Sequence, residues 1–250
     1  MMLSKFVKMN RNFCRKLEKN NPIFFSSSYA KKLQGQSGNT LRGLVKSFIL
    51  ENSPTTILEV GGVDRPILAK SRNYSYFGLD IDDKPKCYDV YDTFLVQSIE
   101  EELEIKFNLI ISNSLLEHVP DNTRSLRVIY DALSNGGVTM HYIPSKYHFY
   151  SLILRLVGPK LQKILIHYLR PEAEAVTGYP AFFHKCSPRQ METLCKDIGF
   201  SKIEITPSYR ATDYFYFFVP AFILVAVLEN LISYFGLRTF ASGMILVARK

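Results

Sequence analysis

The sequence predicts an α/β fold, a doubly wound and mostly parallel sheet with helices on both faces. Three observations predict it. Short apolar runs such as TTILEV (Thr55–Val60) and FNLIIS (Phe107–Ser112) are nearly continuous rather than alternating, as in strands buried on both faces. Helical segments with start and stop signals separate several of them. The 250 residues are 47% hydrophobic and 22% charged, a composition that supports a sizeable core.

Taken in order, the polar and basic residues 1–40, with Ser26-Ser27-Ser28 and GQSGN (Gly35–Asn39), read as a lead-in or lid. LRGLVKSFIL (Leu41–Leu50) is a helix. TTILEV is the first strand, YSYFGLD (Tyr74–Asp80) the second, KCYDV (Lys86–Val90) the third and FNLIIS the fourth. Asp121–Leu133 is a helix, led in by Pro120-Asp121-Asn122 and closed by Asn135-Gly136. GVTMHYI (Gly137–Ile143) is the fifth strand. Lys146–Arg170 is basic, apolar and helical. Ser187-Pro188 starts a helix that Gly199 ends, a serine cap, first-turn proline and terminal glycine. Phe200–Pro207 and Ser242–Ala248 are the last strands, with an apolar insert at Phe215–Leu228 between them. The expected organisation is a lead-in over 1–40 and one domain over 41–250, with helical additions at about 146–170 and 214–236.

The net charge is +8, which favours anionic partners. Its distribution is more telling. From Ala132 to Pro171 there is no Asp or Glu, while Lys146, Arg155, Lys160, Lys163 and Arg170 stand among apolar residues. No segment resembles a nucleic-acid module. Cys14, Cys87, Cys186 and Cys195 form no CxxC and no zinc spacing, so no metal site is expected and reduced thiols of a cytoplasmic protein are.

In open parallel sheets, ligands bind at the carboxyl ends of the strands. The first strand carries Glu59 and stops at Gly61-Gly62, where a ligand can approach the backbone. The second stops at Asp80, 21 residues after Glu59, a placement suited to ribose hydroxyls. The third stops near Asp89 and Asp92. The fourth stops at Ser112-Asn113, followed by LLEHVPD with Glu117 and His118. A dinucleotide fingerprint fails, because its second and third glycines would fall on Val63 and Pro66; a P-loop is absent. Acids at three strand ends suit a ligand with a ribose, an adenine amino group and a positive charge.

These residues resemble the class I S-adenosylmethionine-dependent methyltransferases, in the bacterial group with an "LEH" motif. ILEVGG is similar to the acid-x-Gly-x-Gly motif of the first strand, with Val63 where the next glycine is usual. YFGLDID resembles the second-strand motif and carries the ribose acid onto Asp80. The acid that meets adenine is carried onto Asp92, with Asp89 as the other candidate. FNLIISNSLLEHVPD and ALSNGGVTMHYIP resemble the fourth-strand and helix–Gly-Gly–strand motifs. Asn108 stands where an Asp is usual and reads as a surface cap. The resemblance covers about residues 40–205 and the last strand. It implies a Rossmann-like sheet of seven strands, the last inserted antiparallel beside the sixth. It also implies S-adenosyl-L-methionine as cofactor, with Glu59, Gly61, Gly62, Asp80, Asp92 and Asn113 around it.

Methyl transfer depends on placing donor and acceptor together, and a hydroxyl acceptor also benefits from a base. His148 and His118 follow strand ends and are the candidates for that role. His141 lies within a strand, where packing is an equal reading, and His184 is a candidate for the acceptor side. The insert Phe215–Leu228 is 14 residues, short of the roughly 20 that span a bilayer. A buried helix or lid, or an element lying on a membrane surface, are its other readings. The expected function is O-methylation of a small or lipid-linked acceptor, a sugar or cell-envelope precursor, in the cytoplasm and in contact with the anionic inner face of the membrane. The alternative is a non-catalytic scaffold of the same shape at the membrane surface, for which Val63 speaks.

Overall fold

The computed structural model describes residues 2–21, 24, 37–169 and 179–250. The chain divides into two compact units: a sheet unit of residues 35–144, 182–206 and 244–250, and a helical unit of residues 1–34, 145–181 and 207–243. The second unit gathers both helical additions expected from the sequence and the N-terminal segment. Within that segment, α1 (Met2–Asn20) is a 19-residue helix. The Ser26-Ser27-Ser28 stretch lies outside the described residues, as do Gly35 and Gln36.

The main elements then follow as α2 (Ser37–Asn52), β1 (Thr56–Val60), β2 (Ser75–Asp80), α3 (Cys87–Val90), β3 (Thr93–Val96), β4 (Phe107–Asn113), α4 (Asn122–Ala132), β5 (Leu133–Pro144), α5 (Phe149–Leu169), α6 (Pro188–Ile198), β6 (Lys202–Ser208), α7 (Val219–Tyr234) and β7 (Gly243–Arg249). The seven strands are ordered β3-β2-β1-β4-β5-β7-β6. β1 pairs parallel with β2 and β4, β2 with β3, and β4 with β5. β7 runs the other way: Lys250 N–H donates to the Gly137 carbonyl in the first half of β5, and Ser201 N–H, just before β6, donates to the Arg249 carbonyl. The expected Rossmann-like, mostly parallel sheet is thus present.

Ile57 and Leu58 of β1 and Leu109, Ile110 and Ile111 of β4 are fully buried, so adjacent apolar residues are needed where both faces are covered. Leu41 and Val45 of α2 pack with Ile57, Leu109 and Met140 on one face. Asn108 fixes the register at the other end. Its Oδ1 accepts the Thr55 and Thr56 N–H groups at 3.0 and 3.1 Å, which ties the start of β1 to β4. This is the cap that the sequence suggests. α4 has Asp121 as N-cap, whose Oδ1 accepts the Thr123 N–H at 2.8 Å. α6 ends on Gly199 in the left-handed region, φ 114°, as its sequence signals.

The third strand is a correction. Lys86–Val90 is not extended; Cys87–Val90 is a helical turn, and β3 begins at Thr93. Pro85 fixes a turn-compatible φ, Cys87 N–H donates to the Lys84 carbonyl at 2.9 Å, and Tyr91 N–H to the Cys87 carbonyl at 3.0 Å. Those bonds use the backbone groups that a strand at 86–90 would need.

In the helical unit, α1 packs against α5 and α7. Cys14, Phe215, Phe222, Val225 and Ala226 form its buried cluster, with Phe149 and Tyr150 against it. α5 breaks at Gly158, φ 72° and ψ 161°, a conformation open to glycine. Among the described residues no helix is long and apolar enough to cross a membrane.

Candidate functional site

β1 delivers Glu59 into the core, 1% exposed. A carboxylate there is costly without donors, and the chain supplies them. Ile67 N–H donates to Oε2 at 2.9 Å, and the Tyr76 hydroxyl donates to the same oxygen. Tyr76 stands on β2 in register with Ile57, two residues before Glu59 along β1. Leu68 N–H in turn donates to the Tyr76 hydroxyl at 3.2 Å. Burial raises the Glu59 carboxyl to about 7, against the lowering pull of those bonds. The sequence places Glu59 in the wall of a cofactor pocket. The structure turns it inward instead, where it fastens the far end of the loop that starts at Gly61.

That loop needs its glycines for space as well as conformation. Gly61 has φ 79°, and a Cβ there would stand 2.7 Å from Leu115 Cδ1. A Cβ at Gly62 would stand 2.2 Å from the Tyr91 hydroxyl and 2.4 Å from Glu59 Oε1. Val63 has φ 45°, a left-handed backbone that a β-branched residue rarely adopts. The missing third glycine therefore falls where the backbone asks for one. Arg65 N–H donates to the Gly62 carbonyl at 2.9 Å, which closes the bend.

Gly61 N–H donates to the Leu79 carbonyl at 2.8 Å, so the bend sits against the end of β2, where Asp80 follows. The Asp80 carboxylate is half-buried and accepts the Asp82 N–H at 2.9 Å. Burial is the largest influence on it and holds its pKa above the usual aspartate value. Gly61, Gly62 and Asp80 are thus brought together at the carboxyl ends of adjacent parallel strands.

Asp92 is not brought there. It precedes β3, and its carboxylate accepts the Tyr76 N–H at 2.8 Å near the start of β2, at the opposite end of the sheet. Asp89, on α3, is exposed. The displaced strand causes the difference: the residues that follow β3 on the ligand side are Gln97 and Ser98. Gln97 N–H donates to the Asp80 carbonyl at 3.1 Å. The β-branched start of TFLV after Tyr91-Asp92 was the signal that could have located them.

At the end of β4, Asn113 is exposed and Ser114 has φ 55°. Ser114 N–H donates to the Tyr142 carbonyl at 3.0 Å, and Leu115 then covers Gly61. A 3-10 turn over Leu116–His118 follows. Glu117 is buried, and burial raises its carboxyl to about 8. Its carbonyl accepts the N–H groups of Phe182 and Phe183 at 2.8 and 3.0 Å. His118 is about one-third exposed, with Nε2 3.8 Å from Glu117 Oε1. Glu117 lies in LLEHVPD, but no sequence pattern indicated that its carboxyl would be enclosed.

The other histidines have different surroundings. His148 is 1% exposed and belongs to the helical unit. Its Nδ1 accepts the Tyr150 N–H at 3.4 Å, its Nε2 is 3.6 Å from Glu229 Oε1, and its ring lies 3.9 Å from Phe149. Burial lowers it to about 4. The expectation of an accessible base at His148 is corrected by this enclosure, and the sheet unit holds only His118 of the two candidates. His141, on β5 opposite Ser112 of β4, is buried within the sheet, with Nδ1 2.7 Å from Ser112 Oγ. His184 Nδ1 accepts the Asn122 N–H at 3.0 Å, so its ring caps the start of α4.

The strand ends bring together a close-approach glycine bend and a half-buried carboxylate beside it, without the glycine cradle a pyrophosphate would need. A family model described as a methyltransferase domain matches residues 29–205. No curated protein sequence matches. Among solved structures, an S-adenosylmethionine-dependent methyltransferase from Archaeoglobus fulgidus is similar at 13% identity, TM-score 0.53, covering 89% of this chain and 98% of that one. A Thermotoga maritima structure described as a possible histamine N-methyltransferase is similar at 13% identity, TM-score 0.53, over 95% and 97% of the two chains. A phosphoethanolamine N-methyltransferase from Haemonchus contortus, in complex with S-adenosyl-L-methionine, gives 14% identity and TM-score 0.51, over 85% of this chain and 52% of that one.

Proposed function

The chain belongs to the methyltransferase-domain family, matched over residues 29–205, and on that premise we propose that it methylates an oxygen of a small or lipid-linked acceptor, a sugar or another cell-envelope precursor. The methyl donor is S-adenosylmethionine. Its sulfonium, when bound, supplies an electrophilic methyl group. The rest is the work of this chain. Gly61 and Gly62 let the backbone come close, and the Asp80 carboxylate accepts from ribose hydroxyls. Asn113 lines the same edge. Gln97 and Ser98, at the true end of β3, take the place given to Asp92 for adenine.

The observation that carries this reading is the bond from Gly61 N–H to the Leu79 carbonyl, which sets the glycine bend beside Asp80. A hydroxyl acceptor must lose a proton as its oxygen is methylated. His118 Nε2 is the group assigned to take it, being partly exposed and on the ligand side of the sheet. A lipid-linked acceptor is supported by the apolar outer surface of the helical unit. Calorimetry with S-adenosylmethionine tests the donor site: the wild type binds, and Asp80→Ala weakens binding at least about tenfold, the loss of a charge-assisted hydrogen bond. Binding unchanged by Asp80→Ala removes Asp80 from the site. Activity with hydroxylated lipid-linked sugars, lost in His118→Ala and absent with amine acceptors, tests the acceptor.

A further inference from the structure

α7 has its apolar face on the outside. Its inward residues are Phe222, Val225, Ala226, Glu229 and Ser233. Ile223, Leu224, Val227, Leu228, Leu231 and Tyr234 form one stripe around the other side, and all are exposed, Leu224 at 60% and Tyr234 at 70%. No charged residue interrupts that stripe. A soluble helix ordinarily shows water its polar side, and a contiguous apolar face of this kind marks an interaction site.

α1 supplies the matching charge. It packs against α7. Its outer side is divided lengthwise: Phe6, Met9 and Phe13 are exposed along one edge, and Lys5, Lys8, Arg15, Lys16 and Lys19 are exposed along the neighbouring edge. The only acid of α1, Glu18, accepts the Tyr216 hydroxyl hydrogen. At 16 residues, α7 is about 24 Å long, and no described helix qualifies as a membrane span. An apolar face flanked by cations is the pattern of a helix lying in the plane of a lipid interface.

We propose that the helical unit docks on a bilayer containing anionic lipid, with the Ile223–Tyr234 stripe of α7 and the Phe6–Phe13 edge of α1 in the headgroup–acyl boundary and the α1 cations against lipid phosphates. The charge selects this occupant over a second copy of the chain, since self-association through these faces would bring two basic edges together. The docking is separate from the methyl-transfer reading and holds or fails without it.

The test is flotation of the full chain with vesicles of phosphatidylcholine alone and of phosphatidylcholine with phosphatidylglycerol. The wild type floats with the anionic vesicles and is released by high salt. Leu224→Glu with Leu228→Glu lowers the partition coefficient roughly tenfold or more, the loss of two inserted leucines. Lys8→Glu or Arg15→Glu lowers it about fivefold or more, since each cation near the surface contributes. Both positions are exposed, and unchanged circular dichroism and melting temperature in the variants confirm the fold. Three results overturn the proposal: a wild type that stays with neither vesicle, a wild type that binds both equally and is indifferent to salt, or a double leucine variant that floats like the wild type. A wild type that sediments as a dimer, ignores vesicles and becomes monomeric in the double variant gives the face to a second copy instead.

Discussion

Glu59 Oε2 accepts the backbone N–H of Ile67 at 2.9 Å, so the acid of β1 closes the loop that begins at Gly61, the bend proposed to receive the donor. Stability and donor affinity are therefore coupled through one carboxylate. Glu59→Ala leaves the Ile67 N–H and the Tyr76 hydroxyl without their acceptor and is expected to cost about 2–4 kcal/mol, two buried bonds' worth. Denaturant unfolding measures this, and calorimetry at a temperature where the variant is still folded shows weaker donor binding. Unfolding unchanged within error would remove Glu59 from that structural role.

Gly62 faces the same carboxylate from the other side. A Cβ there meets the Tyr91 hydroxyl at 2.2 Å and Glu59 Oε1 at 2.4 Å, so Gly62→Ala is expected to destabilise by about 1–3 kcal/mol through overpacking. Removing the hydroxyl with Tyr91→Phe in the Gly62→Ala background should return part of the loss. A double-mutant cycle with no coupling between the two positions contradicts the clash.

Val63 sits at φ 45°, and a left-handed non-glycine residue costs about 1–3 kcal/mol. Val63→Ala keeps that backbone and gives up packing. Val63→Gly gives up the same packing and relieves the backbone. The glycine variant is therefore expected to be the more stable of the two by about 1 kcal/mol, after allowing for the extra freedom of the unfolded chain. Donor affinity should rise in the glycine variant alone.

Glu117 gives a pH signature. Burial raises its carboxyl from 4.5 to about 8 in the folded chain. A folded-state pKa above the unfolded one means that the folded chain holds the proton more tightly. The resulting stability is fully present below about 4.5 and is lost as pH rises through about 8. Glu117→Gln keeps the neutral shape, so its melting temperature should overtake that of the wild type as pH climbs toward 8 and above. Parallel melting curves for the two proteins across that window would contradict a buried neutral acid.

How much was legible in the sequence depends on the kind of signal. β1, β2 and β4 announced themselves through apolar runs, and Gly61, Gly62 and Asp80 through their spacing at strand ends. α6 was readable down to its caps. β3 was misplaced because KCYDV and TFLV are both short apolar runs, and the turn begun at Pro85 winds the first of them into helix and leaves the β-branched start of the second to open the strand. That single slip moved the adenine acid onto Asp92, which the fold commits to the Tyr76 N–H at the other end of the sheet. His148 was placed after a strand end correctly in sequence, yet its ring is enclosed by Phe149 and Glu229, the latter 81 positions away.

By itself the sequence determined the class of sheet, the glycine bend and the acid one strand away, because periodicity, glycine conformation and strand-to-strand spacing are local properties. The tertiary structure alone decided which way each polar group faces. Glu59 could have met a ligand; it meets Ile67 and Tyr76 because the packed loop and β2 bring those donors within hydrogen-bond reach. The same holds for α7. Its sequence is apolar nearly all round, and only the burial of Phe222, Val225 and Glu229 shows which side is left to face outward. Burial and hydrogen-bond partnership depend on contacts between residues far apart in the chain, and those exist only once the chain is folded.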